Sequence, residues 1–163
     1  MSKQLKAITI WQPYASLIVC GLKVFETRSW PTKYRGALII HAAKRWDRNR
    51  NEDCVRVRDI LRGCTLPAMT REQQRMGCDI SYEDTLGCAL GVVNLKDCRQ
   101  MNDGGTDLEN AVGYFGPDRY GWECDFPHVF DNPIPETGKQ GLWTPSFDLE
   151  FQTRCLLGWE TKE

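Results

Sequence analysis

The stretch "GLKVFETR" (21–28) puts Lys23, Glu26 and Arg28 close together in one short run. Two cations around a carboxylate could recognise a phosphate or a base edge, or run acid–base chemistry. On a strand, Val24, Glu26 and Arg28 share one face and Phe25 and Thr27 the other. Lys23 falls at the turn before that strand, where its long side chain can reach either way. The plainer alternative is an ion pair at a sheet surface. An exposed Glu26–Arg28 pair is worth only about 0–1 kcal/mol, so stability alone is a poor reason for it. At a barrel mouth, Arg28 would hold Glu26 ionised and leave Lys23 as a free cation.

Aromatic residues supply a second signal. Trp11, Tyr14, Trp30, Tyr120, Trp122 and Trp143 fall at the ends of predicted elements. A base stacked on such a ring gains about 1–3 kcal/mol, so two or more rings around a cationic cleft suit a single-stranded or flipped nucleotide. Taken singly, each ring is more simply core. Gln12, at a helix start, and Gln140 each donate and accept, so either can read a base edge.

These residues need elements to hold them. "LKAITI" (5–10) reads as a first strand. Pro13 suits the first helical position and Gly21 the residue past the end, giving a helix at about 13–20. "KVFETRS" returns as a strand and "GALIIHAA" (36–43) is a strongly apolar one. Residues 48–63 read as a helix capped by Asn49 or Asn51, with Glu52 and Asp53 in its first turn and Cys54, Val57 and Leu61 facing inward. Thr70 and Gln73 have capping-box spacing, predicting a short helix at about 70–76 ended by Gly77. "LGCALGVVNL" (86–95) reads as a buried strand whose glycines suggest tight curvature. Residues 101–118 are turn-rich and acidic, a loop with a short helix at 106–111. "RYGWECD" (119–125) alternates as a strand, "FPHVFDNPIP" is a proline-limited edge strand, and residues 146–163 are a final strand or a loosely held tail. The whole is one α+β domain, 1–163, with its core at about 5–145: a small curved β-barrel with short helices packed around it.

Composition narrows the classes. Of 163 residues, 41% are hydrophobic and 26% charged, as in an ordinary folded protein. No apolar run reaches the ~18 residues of a membrane span, and no secretory leader is legible, so the cytosol, or the nucleus of a eukaryotic cell, is the expected location. The eight cysteines contain no CxxC and the two histidines, His41 and His128, are isolated, so reduced, mostly buried thiols are expected and no metal or other cofactor is implied. Residues 1–62 carry 13 Lys and Arg against 5 Asp and Glu, and residues 63–163 carry 8 against 17. Net charges of +8 and −9 fit one nucleic-acid-facing side, unless the halves interleave and cancel.

The order Gly21, Lys23, Glu26, Arg28 is the full Gly-x-Lys-x-x-Glu-x-Arg pattern, and it resembles the ASCH (activating signal cointegrator homology) domain family. The preceding "WQPYASLIVCG", the following "RSWPTKYRGALIIHAAK", and the late "RYGWE" and "KQGLW" resemble that family too, over about residues 6–144. The resemblance implies a PUA-like barrel with a cleft between barrel and helices, and binding of RNA or other nucleic acid. Some relatives are acetylcytidine amidohydrolases or ribonucleases. The amidohydrolase pattern has a threonine three residues after the lysine, where this chain has Glu26, so that mechanism does not transfer directly.

Two readings of the cleft follow, and one that bypasses it. In the first, RNA, another single strand or a modified nucleoside is bound, with Lys23 and Arg28 on phosphate or carbonyl oxygens. Glu26 orders Arg28 or accepts a base amino group, Tyr14, Trp30 and Trp122 stack, and Gln12 and Gln140 read the edge. In the second, Lys23 and Glu26 are catalytic in a hydrolase on a modified nucleoside or RNA. The third is a protein-interaction adaptor using the acidic 97–125 region.

Overall fold

The computed structural model describes residues 4–63, 69–102 and 104–159. Six strands form one curled half-barrel sheet in the order β2-β5-β4-β3-β1-β6. β1 (Lys6–Ile10) and β3 (Gly36–Ala42) pair in parallel, Ile8 opposite Ile40. The chain passes between them through α1 (Tyr14–Val19) and β2 (Phe25–Arg28). β4 (Cys88–Gln100) and β5 (Tyr120–Pro135) are long antiparallel partners, and β6 (Leu142–Trp143) closes on β1.

Alternation along these strands feeds two apolar cores. Leu38, Ile40, Leu90, Val93 and Leu95 point to one face and meet α1, whose residues from Ala15 to Val19 are all buried. Ile39, Ala89, Val92, Phe130 and Trp143 point to the other face and meet Leu149. A strand apolar on both sides, as "ALIIHA" is, belongs in a sheet covered on both sides.

α2 spans Arg48–Gly63 and buries Cys54, Val57 and Leu61 as its periodicity predicts. Its cap differs from expectation: Asp47, not Asn49 or Asn51, accepts the Arg50 amide at 3.1 Å. The Thr70–Gln73 capping box opens α3 (Arg71–Gln74). Gly77 does not end the segment, which continues as a π turn over Arg75–Asp79. A Cβ there would lie 2.8 Å from Leu22 Cδ1, so close packing rather than helix termination requires the glycine. A 3-10 turn follows at Glu83–Thr85, and α4 (Asp107–Val112) lies where the 106–111 helix was expected.

Three expectations are corrected. The buried strand at 86–95 extends to Gln100. Residues 119–125 and the proline-rich stretch are one strand, β5. β2 covers only its first part, through Tyr120–Glu123, which leaves the proline-bearing second half without a β2 neighbour. The C-terminal stretch, as far as residue 159, is not a strand or a loose tail but carries a helix: Ser146 accepts the Leu149 amide at 3.2 Å and caps α5 (Phe147–Leu156), and residues 160–163 lie outside the described residues. Of the cysteines, Cys20, Cys54 and Cys124 are buried, Cys78, Cys88 and Cys98 partly so, and Cys155 is exposed; all seven are unpaired, and Cys64 lies outside the described residues. No described helix is long and apolar enough to cross a membrane. Among the described residues, no three His, Cys, Asp or Glu side chains are grouped to hold a metal.

Candidate functional site

The site begins where α1 stops. Gly21, at φ +74°, reverses the chain, and the amides of Leu22 and Lys23 both return to the Leu17 carbonyl at 2.9 and 3.0 Å. That double bond fixes Lys23 at the threshold of β2. Its side chain turns inward and is 3% exposed. The ammonium donates to the Phe25 carbonyl and stands 5.0 Å from the centre of the Phe115 ring. Burial pushes its pKa below the usual lysine value, against the opposing pull of Glu26 and Glu109. The expected free cation is thus a buried, partnered one.

Glu26 and Arg28 do pair, Oε1 to Nε at 2.9 Å, and both side chains are largely shielded. Arg28 Nη2 also donates to the Thr9 carbonyl at 2.8 Å, which joins β2 to the end of β1. Arg28 is therefore held by one ion pair and one hydrogen bond to main chain, more than a surface ion pair alone would supply. Thr27 commits its hydroxyl to the Tyr114 carbonyl at 2.9 Å.

A cleft of about 360 Å³ opens among these residues, within the range of small-ligand sites. Lys23, Glu26 and Arg28 line it with Tyr14 and Trp30, so five of the eight sequence candidates converge. Tyr14 is partly buried, which raises its hydroxyl pKa, and Arg56 donates to it at 3.5 Å.

The other three candidates are placed elsewhere. Gln12 is 1% exposed: Nε2 donates to Ser16 at 2.8 Å and Thr85 at 2.6 Å, and Oε1 accepts the Ser16 amide at 3.1 Å. It ties down the start of α1 and has no edge left to read a base. Trp122 is fully buried, edge-on to Trp30 at 4.7 Å, and its Nε1 donates to the Trp30 carbonyl. It supports a stacking ring and cannot be one. Gln140 is exposed on the approach to β6 and does not line the cleft.

Sequence reasoning named Trp11 only among the element-end aromatics and missed Tyr114, Arg119 and Glu109. Trp11, Tyr114 and Arg119 line the cleft. Trp11 is 43% exposed, with the Arg50 guanidinium 4.3 Å from its ring centre. Arg119 donates to the Thr27 carbonyl at 2.9 Å and lies over Tyr114. Glu109 stands behind the cleft, 2% exposed, accepting the amides of Val24 and Phe25. The only sequence signal for Glu109 is its place three residues after the cap Thr106. Nothing local says that it reaches β2.

The geometry defines a small α+β protein with a cationic, aromatic-lined cleft between a curled half-barrel and its helices. The model for the ASCH domain matches residues 8–133, and the chain belongs to that family. It is 34% identical over 150 residues to "Activating signal cointegrator 1" of Homo sapiens, and 28% identical over 142 residues to its Mus musculus counterpart. Each alignment covers 83% of this chain and 21% of the relative, so the chain spans about a fifth of their length. The fold is similar to the crystal structure of ASCH from Zymomonas mobilis, with a TM-score of 0.50 at 14% identity, covering 94% of this chain and 95% of that one. A mutant of that protein superposes at 0.51 with 13% identity, covering 94% and 96%. The half-barrel is thus of the expected PUA-like α+β kind.

Proposed function

We propose that the cleft binds a nucleotide or modified base within single-stranded nucleic acid, RNA foremost. One observation carries this reading: Lys23, Arg28 and Arg119 line the same cleft as Trp11, Tyr14, Trp30 and Tyr114, against Glu26 as the sole lining carboxylate among the described residues. Cations around stacking rings are what a single strand requires. Arg28, aimed by Glu26 and Thr9, presents its remaining donors to a phosphate or carbonyl oxygen. Glu26 has an oxygen left for a base amino group. Tyr114, 66% exposed, and Trp11 are the accessible rings, with Tyr14 and Trp30 deeper. The test is a fluorescence-anisotropy titration of mixed-sequence single-stranded RNA and DNA with wild type and a Tyr114→Ala, Arg119→Gln variant. Saturable binding that the variant weakens supports the reading. Equal binding by both proteins removes the cleft from it.

A second reading has an observation of its own. The lowered pKa of buried Lys23, beside Glu26, fits proton transfer during hydrolysis of a modified nucleoside or RNA. Thr27, with its hydroxyl donated to Tyr114, is not poised as a nucleophile. Turnover of acetylcytidine or cleavage of the titrated RNA, lost in Lys23→Met, would establish the enzyme. Intact substrate after prolonged incubation would reject it.

A further inference from the structure

Thr9 is a wall with a cavity on each side. Its carbonyl accepts Arg28 at the cleft, and its hydroxyl accepts Trp143 Nε1 at 3.2 Å on the other side. There a second cavity, of about 910 Å³, opens where β3 ends and β5 gives way to the loop at Glu136–Gly138. Lys44 and Arg45 line it, and both are exposed. Among the described residues Lys44 makes no ion pair. Arg45 gives its Nε to Asp47 at 3.0 Å, and its side chain is largely exposed. Among the described residues the one carboxylate lining this cavity is Glu136, whose oxygens accept the Thr137 amide at 2.8 Å and the Ser146 hydroxyl. Arg45 also reaches over the Trp11 ring, at 5.8 Å, and so spans from the second cavity to the rim of the first.

We infer that the two cavities form one track for a single strand. The nucleotide next to the cleft-bound one crosses Trp11, and its phosphate rests against Lys44 and Arg45. The inference depends on the nucleic-acid reading of the cleft and commits it to a polymer, not a free nucleoside. The charge supports a continuous path: cations outnumber carboxylates along both cavities, and the Glu136 carboxylate is already engaged by the Thr137 amide and the Ser146 hydroxyl. The indole between them gives a base a face to stack on.

The experiment compares labelled RNAs of one, two, five and ten nucleotides, from 50 to 200 mM salt, with wild type and a Lys44→Gln, Arg45→Gln variant. These exposed substitutions keep the aliphatic stems, and thermal melts check the fold. Wild type should gain affinity between one and five nucleotides. The variant should lose that gain while holding the mononucleotide as wild type does. Its log–log salt slope should flatten by about 0.7, the value of one phosphate contact on a single strand. Lys44→Glu alone should weaken the five-nucleotide RNA further than Lys44→Gln alone. Length-dependent binding with an unchanged slope in the variant overturns the track and leaves the cleft standing. Mononucleotide binding with no gain from length does the same. No binding of any RNA by wild type overturns the track together with the cleft reading.

Discussion

Glu109 accepts the backbone amide of Phe25 at 2.8 Å across 84 residues of chain, and the same oxygen takes the Val24 amide at 2.9 Å. One carboxylate thereby holds the entry of β2 and faces the buried ammonium of Lys23, on whose pKa it acts. The strand that carries Glu26 and Arg28 is set by a residue of the distant helix α4.

Glu109→Ala is therefore expected to cost about 3–5 kcal/mol, since it leaves buried amides unpaired and removes a counter-charge of Lys23. Glu109→Gln keeps an acceptor and should cost about half as much. Urea unfolding at pH 7 measures both. A loss under 1 kcal/mol in the alanine variant would show that the carboxylate is not holding β2.

Lys23 gives a pH signature. Its folded-state pKa lies below its unfolded value, so the unfolded chain binds the proton more readily. Its burden on stability is present below the folded-state pKa and is relieved as pH rises from there towards the ordinary lysine value of 10.5. The buried thiols oppose this. Burial raises Cys20, Cys54 and Cys124 to about 12, so each loses stability above its usual 9.0. Subtracting the Lys23→Met stability curve from wild type between pH 7 and 10.5 isolates the lysine. The difference should climb with pH; a flat difference would mean that Lys23 is solvated.

How much of this was legible depended on range. "LKAITI", the helix at 48–63 and the Thr70–Gln73 box are local patterns, and they form where their periodicity and the capping box put them, although Asp47 rather than Asn49 or Asn51 caps the helix. The Lys23–Glu26–Arg28 cluster was legible because its members are neighbours on one short strand. Trp122 and Gln12 were misread because strand ends and helix starts look the same from sequence whether they face a cleft or a core. Glu109, in α4, and Arg119, in the segment after it, reach β2 from more than 80 residues downstream, which no local pattern encodes. α5 was missed although its signals were local: Ser146 as cap, Asp148 and Glu150 in the first turn, and Arg154 in the last. Its exposed Phe147 and Phe151 obscured the amphipathic stripe.

His41 predicts acid sensitivity. It is 1% exposed, and its Nε2 lies 3.0 Å from the Glu136 carbonyl, which requires a hydrogen on that nitrogen. Nδ1 has no hydrogen-bond partner among the described residues. Burial holds the imidazole pKa below 6.5, so the folded protein resists a proton that the unfolded chain accepts. Stability should fall as pH drops below about 6.5, by about 1.4 kcal/mol for each unit of pKa difference. The Trp143 indole, 5.7 Å away and edge-on, is a nearby fluorescence reporter. The wild-type-minus-His41→Gln difference should shrink on acidification from pH 7 to 5; a constant difference would contradict the assignment.

Gly91 tests the origin of the sheet's curl. It sits where the pairing of β4 with β5 shifts register, next to Ala89. A Cβ at Gly91 would fall 2.3 Å from the His128 carbonyl oxygen and 3.2 Å from Val129 Cα, both main chain of the paired strand. Main chain held in a ladder cannot swing aside as a flexible side chain can, so Gly91→Ala must part the two strands or unmake the bulge. The expected cost is about 2–4 kcal/mol. Gly87, at φ +70°, meets only the Lys44 stem at 3.6 Å, and Gly87→Ala should cost about 1 kcal/mol from backbone strain alone. Guanidinium unfolding of the two variants gives the comparison. Equal losses would mean that the strands yield freely at Gly91, and that the curl there is imposed by the helices rather than by the bulge.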